Sequence, residues 1–288
     1  MSILATCATI AGILAAAAGG ETISLANQDC PAISIDRHFP TRVTVNAGGS
    51  VVRGLVISGG NVRWRSGAIV APGGAYVAGP LGYGAHLKPG TADVRFDGVT
   101  FTEANRGIAA EGVKRLAVAD SRFERLGSDG IIIADSEDLV VARNHFLDTR
   151  ARPSRCITPT ELLTGISRAA CIAILGTWFD GDHPDALQMR DGVKRARIYG
   201  NLVEGPTQGL SQMDTPGDDP LERITIELNT IITDNPHKAT LTSCSSCLIR
   251  RNVVRRPIGS AWKAVILPGP ALRCGNVEQD AKAAEPAC

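Results

Sequence analysis

The chain of 288 residues is short of aromatic side chains, with six Phe, three Tyr and three Trp. It also lacks an excess of either charge: 30 Lys and Arg stand against 29 Asp and Glu, a formal net charge of +1. That balance removes any electrostatic reason to expect nucleic acid or an anionic membrane as the main partner. No apolar run approaches the roughly 20 residues of a membrane span, except at the N-terminus. Intrinsic disorder is excluded as well, because 44% of the residues are hydrophobic and 20% charged. What the chain has in quantity is glycine, 31 residues. Abundant glycine with few aromatics suits many short strands joined by tight turns.

There are eight cysteines and no Cys and His pattern of the zinc-finger kind. Cys244-Ser-Ser-Cys247 has the spacing of a redox or knuckle pair, but it lacks a second metal pair and a thioredoxin-like surrounding. Structural disulfides are the expectation. The sequence-local pairing is Cys7–Cys30, Cys156–Cys171, Cys244–Cys247 and Cys274–Cys288, one of many that eight cysteines allow. Disulfides place the protein outside a reducing cytosol, secreted or periplasmic.

Residues 1–20 read MSILATCATIAGILAAAAGG. A secretory signal would carry Lys or Arg before its apolar stretch, and none is present. Ile3, Cys7, Ile10 and Leu14 instead recur as one stripe of an amphipathic helix. The expectation is a capping helix over 1–20 that stops at Gly19-Gly20 and leads into a strand at Ile23-Ser24-Leu25. A retained signal is the alternative.

The chain repeats itself. Val94-Arg-Phe-Asp-Gly98-Val-Thr-Phe101, Leu116-Ala-Val-Ala-Asp-Ser121-Arg-Phe123 and Leu139-Val-Val-Ala-Arg-Asn144-His-Phe146 share one pattern. So do the segments ending in Asn201-Leu-Val203, Asn229-Thr-Ile231 and Asn252-Val-Val254. Equivalent positions fall at 98, 121, 144, 201, 229 and 252, with successive intervals of 23, 23, 57, 28 and 23. A second series, at Gly107, Gly130, Ala186 and Gly209, runs in phase with intervals of 23, 56 and 23. Each turn of the repeat therefore holds at least two strands, and an Asn at each corner can stack into an amide ladder. A period between roughly 20 and 50 residues indicates a solenoid. The Leu-rich consensus of leucine-rich repeats is absent, and propeller blades need about twice this period. An all-β right-handed parallel β-helix remains.

With its N-terminal Gly-Gly-Glu-Thr-Ile-Ser-Leu and its Asn-x-Val/Phe corners, the chain resembles the pectate-lyase-like β-helix superfamily over roughly residues 1–267. The resemblance implies the fold and leaves the chemistry open, since the superfamily holds lyases, hydrolases, esterases, epimerases and tailspikes. The Arg-x-Pro-x-x-Arg stretch of lyases and the Asn-Thr-Asp of polygalacturonases are absent, so no catalytic assignment carries over. The expected organisation is a cap over 1–20, coils over 21–278 with an excursion at 150–181, and an irregular tail over 279–288.

The interval of 57 is one coil plus 34 or two coils plus 11. Such an excursion is expected to be functional, walling a groove along the strands. It includes Ile172-Ala-Ile-Leu175, read as strand or core. It ends in Trp178-Phe-Asp180-Gly-Asp182-His183-Pro-Asp185-Ala-Leu-Gln188-Met-Arg190, the densest polar stretch of the chain. By the period, Asp185 stacks on Gln208, Met189 on Gln212 and Asp191 on Asp214, while His237-Lys238 fall near Gln208-Gly209.

Three chemistries fit these residues. β-Elimination on a uronic-acid polymer needs a base, for which Lys238, His183 and His237 are candidates, and a positive group such as Arg190. Asp180, Asp182 and Asp185 would then hold Ca²⁺. A glycoside hydrolase would pair two of Asp182, Asp185 and Asp214. A non-catalytic sugar groove would use Trp178 for stacking and Gln188, Gln208 and Gln212 for hydrogen bonds. Each residue also has a structural reading: turn caps for the aspartates, an amide ladder for the glutamines, solvated charge for Lys238 and Arg190. The expectation is a monomeric exported polysaccharide lyase, with the hydrolase and the binding protein as alternatives. A solvent-accessible groove with converging base and Arg side chains would favour the lyase.

Overall fold

The computed structural model describes residues 2–147, 155–158, 162–164, 168–174, 177–179, 184–212, 217–234, 238–260, 263–266, 269–281 and 285–288. They form a parallel β-helix whose coils cross three faces in turn. The first face is an eight-stranded parallel sheet: Ile33–Ile35, Leu55–Ile57, Tyr83–Leu87, Arg106–Glu111, Ile131–Ala134, Leu187–Arg190, Leu210–Gln212 and Ala239–Thr240. The second carries Ala92–Asp97, Lys114–Ala119, Glu137–Ala142, Lys194–Tyr199, Leu221–Glu227 and Leu248–Arg250. The third carries Thr100–Thr102, Arg122–Glu124, His145–Phe146, Leu202–Gly205, Thr230–Thr233 and Val253–Arg255. Right-handed crossovers are the rule for parallel strands, and the solenoid is right-handed. Among the described residues no helix is long and apolar enough to cross a membrane.

Strand alternation gives the solenoid its inside. Leu116 and Val118 turn into the core beside Leu139 and Val141 of the next coil, and then Ala196 and Ile198, while the residues between them face out. The scarce aromatics are concentrated here. Phe101, Phe123 and Phe146 stack in one column, with centroids 4.8 and 4.6 Å apart. They pack against the glycines of the second repeat series. A Cβ on Gly107 would lie 2.7 Å from the Phe123 ring, and one on Gly130 would lie 2.7 Å from the Phe146 ring and 2.5 Å from the Ala186 carbonyl. Gly130→Ala should therefore cost about 1–3 kcal/mol through overpacking alone, read as a lower denaturant midpoint at unchanged slope.

The Asn corner lies between the second and third faces and is a buried ladder. Asn144, Asn201, Asn229 and Asn252 each accept, through Oδ1, the backbone N–H of the equivalent residue one coil earlier, at 2.9–3.0 Å. Each donates through Nδ2 to a carbonyl, from Val118, Val141, Ile198 and Ile226 in turn. Ser121 heads the column by accepting from Val99, and Asn276 extends it beyond the positions of the sequence series.

Asn144 bonds directly to Asn201, and Ile131–Ala134 pairs directly with Leu187–Arg190. The long interval is thus one coil plus a single long excursion, the first of the two readings. Within that excursion, Arg155–Ile157 runs antiparallel to both Leu162–Thr164 and Thr177–Phe179. The segment read as strand or core at Ile172 is instead the end of a helix, Arg168–Ala173, with Ile172 and Ile174 exposed. The N-terminal cap also departs from the single expected helix. Ser2–Ala5 is a strand paired in parallel with Thr22–Leu25, and the helix is confined to Ile10–Ala16. The first coil offers an open strand edge to residues 2–5, which satisfies their backbone better than a free helical turn. Cys7 is then tied to Cys30, while Ile10 and Leu14 still face the core.

Cys244–Cys247 and Cys274–Cys288 are the other described disulfides, as the local pairing expected. Cys171 is disulfide-bonded too, and the side chain of Cys156 lies outside the described residues.

Candidate functional site

On the first face, residues one coil apart lie about 4.8 Å from one another, so distant segments meet. The register places Tyr83 beside Arg106 and Leu187 beside Leu210. Extending it outward sets Arg106 next to Asp129, Asp129 next to Asp185 and Asp185 next to Gln208. Hydrogen bonds follow this line. Arg106 donates through Nη1 to the Tyr83 hydroxyl at 3.3 Å and through Nε to Asp129 Oδ2 at 3.0 Å. Asp129 Oδ1 accepts the backbone N–H of Asp185 at 3.1 Å. Asp185 in turn accepts from Gln188 Nε2 at 2.8 Å and from the Ser211 hydroxyl.

Leu187 and Met189 point into the core, so Gln188 points out, with Ser211 beside it. The Asp185 carboxyl meets both. Simple alternation would have put it with Leu187, but Asp185 precedes the strand Leu187–Arg190, where alternation does not hold, and its carboxyl bonds to Gln188 and Ser211. Asp129 and Asp185 are nonetheless buried, at 2% and 0% exposure. Burial raises the Asp185 carboxyl, and the neighbouring Asp129 charge adds to it, so that it is pushed up to about 7. Desolvation raises Asp129 too, against the opposing pull of Arg106.

This has a sign. A carboxyl whose folded pKa lies near 7, against about 4 unfolded, binds its proton more tightly in the native state. Its ionisation therefore removes stability as pH rises from about 4 to about 7, and the loss is complete above that window. Asp185→Asn keeps an acceptor for Ser211 and cannot ionise. It is expected to raise the melting temperature at pH 8 and to leave it nearly unchanged at pH 4, as thermal denaturation at the two pH values would show.

Upstream of this line opens a cleft of about 180 Å³, bounded by Tyr83, His86 and Arg106 on one side and Glu111, Arg190 and Asp191 on the other. His86 meets Tyr83 edge to face, with ring centroids 5.3 Å apart. Burial, and then the nearby Lys88 charge, hold the His86 imidazole below its ordinary value, only partly opposed by Glu111. It is neutral at neutral pH. The Arg106 guanidinium lies 5.6 Å over the Tyr83 ring. Arg190 differs from most arginines on this solenoid, which are paired to carboxylates: its buried Nε has no hydrogen-bond partner among the described residues. Arg190 lines the cleft and makes no ion pair among the described residues, so the outer part of its guanidinium is suited to an anionic ligand.

Of the residues singled out from sequence, Asp185, Gln188, Gln208 and Arg190 are brought together on this face. Gln212 belongs to the inward row of Met189, and its Oε1 accepts the Ser243 N–H at 3.0 Å. Lys238, expected as a base, is wholly buried and donates to the Thr233 carbonyl at 3.0 Å. Asp180, Asp182, His183, Asp214 and His237 lie outside the described residues, and of Trp178 only the strand is described. Tyr83, His86, Arg106 and Asp129 were not among the sequence candidates. Their signal was present: Arg106, Asp129, Asp185 and Gln208 each immediately precede a member of the second repeat series.

Among the described residues, no group of three or more His, Cys, Asp or Glu is placed to hold a metal ion. Asp185, the described member of the expected calcium set, fits such a role poorly: both its oxygens are engaged and its pKa near 7 favours the protonated form.

No protein-family model matches the chain, and no curated protein does. Solved structures do. The Dettilon tailspike protein gp208 superposes with a TM-score of 0.51 at 13% identity, covering 94% of this chain. The chain spans 56% of that tailspike's length. Pectate lyase Pel9A gives a TM-score of 0.42 at 11% identity, over 95% of this chain and 72% of its own. An alginate lyase from Paenibacillus sp. str. FPU-7 gives 0.42 at 12% identity, over 97% and 96%. The tailspike likeness concerns the fold, the parallel β-helix.

Proposed function

We propose that the protein is an exported polysaccharide lyase that cleaves a uronic-acid-containing polymer by β-elimination in the first-face cleft. The observation that carries this reading is the convergence of a neutral imidazole, a phenol and a guanidinium with no ion pair among the described residues in one cleft. β-Elimination asks for these groups. A uronate carboxylate bound by Arg190, with Arg106 alongside, has its charge spread as the C5 proton becomes acidic. His86 takes that proton; the freed pair forms the C4–C5 double bond and the C4–O4 bond breaks. The leaving oxygen receives a proton from the Tyr83 hydroxyl, whose oxygen already accepts from Arg106 and so keeps its own O–H free to donate. Proton return from His86 to Tyr83 resets the site. Asp129 acts on this chemistry by holding Arg106 in place. No step is routed through calcium. The disulfides support an oxidising, extracytoplasmic location.

A glycoside hydrolase is the second reading, favoured by one observation: Asp185, pushed up to about 7 beside a second carboxyl, keeps a proton at mildly acidic pH as a general acid must. The burial of both carboxyls, and their bonds to Arg106, Ser211 and Gln188, weigh against direct contact with sugar. Incubation with a panel of uronate and neutral polysaccharides, with and without Ca²⁺, separates the readings. Unsaturated product appearing with new reducing ends is the expected result. Reducing ends alone would replace the lyase with the hydrolase, and binding without turnover would leave a carbohydrate-binding protein.

A further inference from the structure

A larger cleft, of about 460 Å³, lies on the second face. Its volume falls within the roughly 300–1,000 Å³ common for ligand sites. Four arginines line it, Arg195, Arg197, Arg223 and Arg250, against two carboxylates, Asp138 and Glu227.

The charges around it break an alternation that one column of the face keeps up to this point. Asp93, Arg115, Asp138, Arg195 and Arg223 occupy one column of left-handed corner residues, φ between 54° and 61°. Sign alternates along the column as far as Arg195. Arg115 grips Asp93 at 2.6 and 2.7 Å, and Arg195 grips Asp138 at 2.6 Å. The next coil should then supply an acid, but it supplies Arg223, set beside Arg195 by the register of the flanking residues. Arg223 reaches only its chain neighbour Glu222, at 2.8 Å, among the described ion pairs. Across the cleft, Arg197 and Arg250 share the single carboxylate of Glu227, at 2.6 and 2.7 Å. Glu227 is nearly buried, with 4% of its side chain exposed, while that of Arg197 is 56% exposed. Arg197 contributes only its Nε to this pair among the described bonds, and its guanidinium lies 4.3 Å over the Tyr199 ring. Among the described residues its remaining N–H groups are turned to no carboxylate.

Arg223 stands beside Arg195 in one column, one coil on, whereas Arg197 stands in the column of Thr225 and Arg250 in that of Glu227. The coil spacing of about 4.8 Å is close to the length that one sugar residue adds to an extended chain. Arg195 and Arg223, two planar and weakly hydrated cations one coil apart in the same column, stand above a floor that includes Val140 and Thr225, with Arg197 and Arg250 also lining the cleft, and such an array matches a linear polymer carrying repeated anions. We propose that this second-face cleft is a non-catalytic binding site for an acidic saccharide chain, separate from the first-face cleft. Naming a uronate chain as the occupant rests on the function proposed above.

The test is titration of a uronate hexasaccharide into the full chain carrying His86→Ala, which prevents cleavage during the measurement. Two sites are expected. Adding Arg197→Ala and Arg223→Ala, both at exposed side chains and with Arg250 left on Glu227, is expected to weaken one of them about tenfold or more while leaving the melting temperature unchanged. In the chain with His86 intact, the same double substitution should leave turnover of short oligosaccharides unchanged. Affinities in the double variant within about twofold of the parent would overturn the proposal, as would a single site abolished by Arg190→Ala. Either result leaves the lyase reading standing. Conversely, loss of hexasaccharide binding on the second face, in a protein that cleaves no polymer, would support this site and remove the lyase.

Discussion

His86→Ala should lower kcat on the polymer by about 10²–10⁴ and change KM little, because the imidazole is used when the C5 proton moves and not to hold the chain. Folding is expected to survive. His86 is only partly buried and makes no hydrogen bond among the described residues, so its removal orphans no buried group. Arg190→Ala should behave differently, raising KM as well as lowering kcat, since the carboxylate it binds is present in both substrate and transition state. The pH profile gives a further sign. The base must be neutral, and His86 is held below the usual imidazole range by burial and Lys88. The acidic limb of kcat/KM therefore falls below about 6.5, with activity lost as pH drops through that lowered value. A profile whose acidic limb lies well above that range would assign the base to another residue.

The second large effect is on stability. Asn229→Ala is expected to cost about 3–5 kcal/mol, near the top of what single substitutions do. Its side chain accepts the Asn201 backbone N–H and the Asn201 amide, and donates to the Ile198 carbonyl, all buried. Truncation removes the partner of the Asn201 N–H, takes one bond from the Ile198 carbonyl and leaves the Asn201 amide only its bond to Val141, all where water cannot reach, and each orphaned group costs about 1–3 kcal/mol. Asn229→Asp keeps the acceptor and loses the donor while adding a buried charge, so it should be no better tolerated. Equilibrium denaturation measures both. A cost below about 1 kcal/mol for Asn229→Ala would mean that the corner column is not a cooperative ladder.

The ladder was legible in the sequence because its physical requirement is local and repeated: one amide at one corner, once per coil. The same holds for the glycine series, forced by the Phe column that leaves no room for a Cβ. The cap was misread because spacing alone cannot see an unpaired sheet edge. Residues 2–5 fit the helical stripe, but they pair with Thr22–Leu25 once that strand exists.

The site was half visible. Asp185, Gln188 and Arg190 sit close together in sequence and draw attention as a cluster. Their partners Tyr83, His86 and Arg106 come from coils far earlier in the chain and look ordinary in isolation. What links them is register, and the periodic positions 83, 106 and 129 carried that information without marking which side chains would turn outward. Burial was not legible either. Lys238 reads as a surface charge, but its side chain is enclosed and its ammonium is held by the Thr233 carbonyl. A lysine's long apolar stem permits either placement, and only the three-dimensional packing decides between them.

The measurement that tests the central claim most directly is a crystal structure of the His86→Ala protein soaked with a uronate oligosaccharide. The expected result is a sugar carboxylate within hydrogen-bonding distance of Arg190, with C5 directed at the space left by the imidazole and O4 near the Tyr83 hydroxyl. An oligosaccharide bound only elsewhere on the solenoid, with the first-face cleft empty at saturating concentration, would contradict the account.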